Sequence, residues 1–186
     1  MGSQGARELV DGQACSWARR AAVRPPGAVR ICYCLQPMSD FSLPTDPAER
    51  REALSVLFTE AVPHNHALGL RLEAVGGTDA TVVMPYADVL VGNPETGVVA
   101  GGAVTTLIDA ASGAAVMAAL GAFAAIVTLD LRIDYLRPAR PGLPLTAQAE
   151  CYKVTRMVAF VRARVHQGDP ATPVASSQGT FMRVEN

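Results

Sequence analysis

The hydrophobic pattern of this chain changes period several times, and each change marks an element. Between Thr45 and Val62 the apolar residues Leu54, Leu57, Phe58 and Val62 recur at helical spacing. Thr45 or Asp46 can cap this run and Pro47 suits a first helical turn, so the pattern predicts one amphipathic helix to about Ala61. After His64-Asn65-His66 and Leu68-Gly69, the run LRLEAVGGTDATVVMPY reads as two strands turned at Gly76-Gly77, a hairpin. From Ala110 to Thr128 there is no charged residue, which by length alone would satisfy a membrane span. Its composition argues for something else. It is mostly Ala and Gly, it follows Asp109 directly, and Gly121 divides it into the end of a helix and the start of a strand. A buried central helix is the expectation.

Beyond Gly121 the alternation is strict: Val127, Leu129, Leu131, Ile133 and Tyr135 on one face, Thr128, Asp130, Arg132 and Asp134 on the other. This predicts a long half-buried strand. Pro138, Pro141, Gly142 and Pro144 make a turn, and three further strands follow at about 145–155, 158–167 and 173–184, the last two separated by Gly168-Asp169-Pro170. Helix, two strands, buried helix, four long strands: the order indicates an α+β fold in which an antiparallel β-sheet wraps around a central apolar helix.

Residues 1–45 stand apart. They show no sustained period and are broken by Gly2, Gly5, Gly12, Pro25, Pro26, Gly27, Pro37 and Pro44. They are expected to form a disordered N-terminal extension, leaving 46–186 as the domain. A secretory leader needs an uninterrupted apolar stretch, which Arg24, the two prolines and Arg30 prevent. A transit peptide is conceivable from the Arg content, but Met38 followed by SDFSLPTDPAERREAL reads as a natural start.

Charge and cysteine content narrow the function classes. The 186 residues hold 16 basic and 17 acidic side chains, for a net charge of −1. Met1 to Pro37 carries five Arg against Glu8 and Asp11, so the remainder is at −4. With no basic stripe, nucleic acid is excluded as a partner. Cys15, Cys32, Cys34 and Cys151 form no Cys-x-x-Cys and have no His at zinc spacing, so neither a disulfide framework nor a metal site is expected. Cys151 alternates with apolar neighbours as a core residue would. The expectation is a cytoplasmic protein without metal or organic cofactor and without membrane association.

The window that carries chemistry is VGNPETGVVAGGAVTTLIDAASGAA, residues 91–115. A Gly-rich loop runs into a helix. Gly101 and Gly102 bare the backbone where the first N–H groups, unpaired within the helix and at its positive end, can meet a ligand oxygen. That is oxyanion-hole geometry. Asp109 lies two turns further along an otherwise apolar helix, where a carboxylate is costly unless it faces a cleft or another subunit, so it is a candidate general base or nucleophile. Alone, Asp109 could equally pair with an Arg or cap a loop. Asn93, between Gly92 and Pro94, is also a good turn residue in its own right.

These segments, GNPETGVVAGG, TLIDAASG and LDLRIDYLRPARPG, resemble the hotdog-fold acyl-CoA thioesterases of the phenylacetate-pathway (PaaI-like) family over roughly residues 50–184. The resemblance implies hydrolysis of an acyl-CoA to a free acid and CoA. Asp109 would activate water or attack the thioester, the Gly101 N–H would polarise its carbonyl, and Asn93 and Thr128 would help position the reacting groups. Gly102, His66, Arg137 and Arg156 are candidate substrate-binding residues, the arginines for the phosphates of CoA. The resemblance further implies a homodimer or homotetramer with a site shared between subunits, the loop near Asn93 and Gly101 from one chain facing Asp109 from the other. One departure stands out: the family usually has His before the two glycines, and this chain has Ala100. That departure suggests the alternative, a noncatalytic acyl-CoA-binding or regulatory hotdog protein. A hotdog hydratase would want a His near the Asp, and none occurs between His66 and His166.

Overall fold

The computed structural model describes residues 42–184. Residues 1–41, and so nearly all of the expected N-terminal extension, lie outside the described residues. The packed chain starts upstream of the boundary expected at residue 46. Leu43 is buried, its N–H donates to the Gly121 carbonyl, and Ser42 bridges Ala122.

Helix α1 spans Pro47–Ser55. Of the two candidate caps, Asp46 does the work: its carboxylate accepts from the N–H groups of Ala48 and Glu49 at 2.9 and 3.0 Å. The helix then loosens into a π-helical turn, Val56–Glu60, closed by a 2.8 Å bond from the Ala61 N–H to the Val56 carbonyl. A short helix α2, Pro63–Ala67, follows in the histidine segment, where the sequence suggested only a connection. Strands β1 (Arg71–Val75) and β2 (Asp79–Met84) form the expected hairpin. The Gly-rich loop, read from the sequence as irregular, holds a small ribbon of β3 (Val91–Asn93) and β4 (Val98–Val99). Then come helix α3 (Gly101–Leu120) and strands β5 (Ile126–Tyr135), β6 (Leu145–Val154), β7 (Val158–His166) and β8 (Ala175–Arg183).

The six long strands form one antiparallel sheet in the order β1-β2-β6-β7-β8-β5, with α3 packed across it. This is the hotdog fold. Alternate residues of the middle strands, Ala147, Ala149 and Cys151 on β6 and Ala159, Val161, Ala163 and Val165 on β7, are buried with Leu107, Ile108, Ala111, Ala114 and Ala115 of α3 in one core. Alanine on both surfaces lets helix and sheet approach closely. Cys151 is therefore the core residue its pattern suggested, and burial pushes its thiol above the usual range. α3 ends at Gly121, whose φ of 63° is the left-handed conformation glycine adopts without penalty, and whose N–H closes on Met117 and Ala118. Although α3 is long and apolar enough to cross a membrane, 67% of its most apolar window is buried inside the domain. It is the core helix.

One prediction from the alternation needs correction. The pairing of β5 with β8 shifts between Thr128 and Asp130, a β-bulge at Leu129 that reverses the parity of the strand. Thr128 therefore shares the helix-facing side with Leu131, Ile133 and Tyr135, and Val127 and Leu129 are turned outward, 43% and 54% exposed. A strict period of two cannot reveal an inserted residue.

Candidate active site

The site is built where the first half of α3 meets the edge strand β5. On α3, Gly102, Thr105, Thr106 and Asp109 recur at helical spacing on the side the sheet leaves partly open. Asp109 is half-buried there, and its Oδ1 accepts a 2.8 Å hydrogen bond from the Thr128 hydroxyl. The bulge at Leu129 allows this contact by turning Thr128 inward. A hydroxyl on one carboxylate oxygen fixes the rotamer of Asp109 and leaves the other oxygen available to a water or a carbonyl carbon.

At the start of α3, Ala100 is the N-cap residue and makes no side-chain cap bond. Gly101 and Gly102 are both exposed. The Gly101 carbonyl accepts from the Tyr135 phenol at 2.9 Å and from the Thr105 hydroxyl at 3.1 Å, and these two hydroxyls are 3.1 Å apart. A groove of about 340 Å³ opens beside this turn, lined by Val98, Gly101, Val104, Tyr135, Leu136, Arg137 and Pro138 among others. Its size and largely apolar wall suit an organic ligand.

The remaining sequence candidates are dispersed. The Asn93 side chain accepts from the Glu95 N–H at 3.0 Å and its carbonyl from the N–H groups of Thr96 and Gly97, so within this chain it builds the exposed β3–β4 turn. Arg137 borders the groove, but its guanidinium donates to the Thr172 carbonyl at 2.7 Å. Arg156 lies in the β6–β7 turn, whose flanking residues Thr155 and Met157 line a hollow together with Val116 and Leu120, near the far end of α3. His66 is exposed on α2, whereas His64 reaches α3, with Nε2 3.3 Å from the Thr106 hydroxyl. The residues that pattern reading missed are Tyr135, Thr105 and Thr106. The threonines were findable, since they lie four residues after each glycine and three or four before Asp109. Tyr135 was not, because its role depends on a contact across 34 residues of chain.

Among the described residues, no group of three or more His, Cys, Asp or Glu side chains gathers as a metal site would need.

The hotdog sheet thus brings together a helix start bared by two glycines and, on the same open stripe, a carboxylate held by a strand hydroxyl. The sequence profile of the thioesterase superfamily matches residues 96–174, so the chain carries a thioesterase-superfamily domain. It is 29% identical over 142 residues to the medium/long-chain acyl-CoA thioesterase YigI of Salmonella typhimurium, covering 68% of this chain and 88% of that protein. A crystal structure of a Pseudomonas aeruginosa protein superposes with a TM-score of 0.65 at 43% identity, covering 71% of this chain and 98% of the other. The PaaI protein of the Escherichia coli phenylacetic acid degradation operon shares the fold, with a TM-score of 0.66 at 21% identity over 76% of this chain and 98% of that one.

Proposed function

We propose that the protein is an acyl-CoA thioesterase acting as a homodimer, with Asp109 as general base or nucleophile and the Gly101 N–H as oxyanion donor. The observation that carries this reading is the Asp109–Thr128 pair, a carboxylate oriented by a 2.8 Å bond on the open side of an otherwise apolar helix. The similarity to YigI supports a medium or long acyl chain as the first to test. In the base route, Asp109 takes a proton from water as the water oxygen adds to the thioester carbonyl. In the nucleophile route, a carboxylate oxygen adds, the C–S bond breaks, and water opens the resulting mixed anhydride. Either way the carbonyl oxygen gains negative charge and the CoA sulfur departs as thiolate and is protonated.

A distance argument favours the dimer. Gly101 and Asp109 are eight residues apart on one helix, about 12 Å along its axis. A single thioester carbon cannot sit within about 3 Å of a nucleophile on one and a donor on the other. Two chains can, if Gly101 of one faces Asp109 of its partner. The edge strand β5 supports this pairing, since among the described residues its backbone is unpaired on one side and Val127, Leu129 and Tyr135 are exposed beside it.

The test is release of CoA from acyl-CoAs of increasing chain length by the wild type and by Asp109→Asn. Loss of Asp109 is expected to lower kcat about a thousandfold or more while the fold is kept. Under single-turnover conditions in labelled water, label found in Asp109 establishes the nucleophile route, because base catalysis leaves its oxygens unexchanged. The second reading, a noncatalytic acyl-CoA binder, is favoured by Ala100, which leaves the cap of α3 without a side-chain partner. Tight binding with no turnover by the wild type would establish it.

A further inference from the structure

We propose that Tyr135 is a positioning residue for thioester hydrolysis: its phenol holds and polarises the peptide group joining Gly101 to Gly102, making the Gly102 N–H a second oxyanion donor beside that of Gly101. The proposal rests on the thioesterase reading above. The carbonyl of Gly101 and the N–H of Gly102 belong to one conjugated peptide group. A hydrogen bond accepted at that oxygen draws electron density from the nitrogen and strengthens the N–H as a donor. Here the oxygen accepts two side-chain bonds, from Tyr135 at 2.9 Å and Thr105 at 3.1 Å.

Packing around this peptide is one-sided. A Cβ added at Gly101 would lie 3.3 Å from the Tyr135 hydroxyl, whereas one added at Gly102 would meet nothing within 4 Å. The phenol thus backs the peptide while its other side stays open. The Gly102 N–H falls in the first turn, where α3 offers it no acceptor of its own, and the Ala100 cap supplies none. Tyr135 also lines the groove that opens at this turn. Strand β5 carries Thr128 to Asp109 at one end and Tyr135 to Gly101 at the other, and the Leu129 bulge puts both on the helix-facing side. Without the extra residue they would point to opposite faces. The bulge lets one strand address both halves of the reaction, the carboxylate and the oxyanion donors.

The experiment compares wild type with Tyr135→Phe on decanoyl-CoA and on a nonhydrolysable analogue in which a methylene replaces the thioester sulfur. The expected result is a fall in kcat of roughly five- to twentyfold, below that of losing an oxyanion donor outright, with KM and melting temperature little changed. The carbonyl carbon of the bound analogue should resonate further upfield in Tyr135→Phe, reporting weaker polarisation. Unchanged kcat, or a raised KM with kcat held, would make Tyr135 mere groove wall and overturn the proposal. If the wild type hydrolyses no acyl-CoA, the thioesterase reading falls by itself. The Gly102 amide proton in the free protein then decides the peptide claim: it must move upfield in Tyr135→Phe, and a static resonance sinks it. Should Tyr135→Phe not fold, 3-fluorotyrosine at position 135 keeps the shape, acidifies the phenol and must move that proton downfield; no movement overturns the proposal.

Discussion

The two halves of α3 share a backbone and almost nothing else. From Ala110 to Ala118 every residue is buried, and all but Ser112, Gly113, Val116 and Met117 are alanine. From Gly101 to Asp109, Val104, Leu107 and Ile108 are buried while Gly101, Gly102, Thr105, Thr106 and Asp109 keep solvent contact. The second half is an anchor: small side chains let β6 and β7 approach closely, and the position of the first half follows from that fit. The first half can then carry glycines at its start and a carboxylate in its middle, choices that disfavour a free-standing helix. A well-packed buried half makes a half rich in glycine and polar residues tolerable.

The strongest way to break this contrast is to remove what the proposed dimer would place over the open half. Val127→Lys with Leu129→Lys puts two charges on the outer side of the edge strand. If the proposed dimer is joined along β5, this should convert it to monomer by light scattering and lower kcat/KM by about a hundredfold or more, because the open half would lose its facing subunit. Retained dimer with full activity would show that β5 is not the seam.

Ala114→Leu probes the anchor. Overpacking a closed site costs about 1–3 kcal/mol, so the melting temperature should drop while kcat of the remaining folded enzyme changes far less. The matching substitution in the open half, Thr128→Val, should do the reverse. It removes the hydroxyl that orients Asp109, and because misplacing a reacting group can cost about a hundredfold, kcat should fall roughly ten- to hundredfold while the melting temperature drops less than in Ala114→Leu.

The smallest effect concerns pH. His166, at the end of β7, is buried with neither ring nitrogen hydrogen-bonded among the described residues, and burial lowers its pKa below the ordinary 6.5, only partly opposed by Asp169. The unfolded chain therefore binds the proton more readily than the fold does. Stability is at its full value above 6.5 and declines as pH falls from there toward the lowered native value. His166→Leu should flatten that part of the stability curve in melts run from about pH 7.5 to about pH 5, with little change at the upper end. An unchanged slope would place the titration elsewhere.

Much of the fold was legible because its signals are local. The hairpin at Gly76-Gly77, the Ala-rich central helix and the three C-terminal strands are each set by residues a few positions apart. Asp109 and the Gly101-Gly102 pair were legible for the same reason, as polar and glycine exceptions in an apolar run. The parts that escaped depend on pairing at a distance. Five apolar residues from Val127 to Tyr135 read as one face until the register against β8 inserted a bulge, and Asn93, a site candidate, spends its side chain on its own turn in this chain. His64, rather than the candidate His66, carries the hydrogen bond to α3, a choice made by the angle of a five-residue helix.

By itself the sequence determined the order and type of the long elements, the buried character of the central helix and the placement of a carboxylate two turns from a glycine pair. Periodicity and composition act over a few residues, and nothing elsewhere in the chain had to be known. Only the tertiary structure decided which side of β5 Thr128 faces and that Tyr135 grips the Gly101 carbonyl. Each of these follows from hydrogen-bond register and helix geometry between distant segments, which no local pattern encodes.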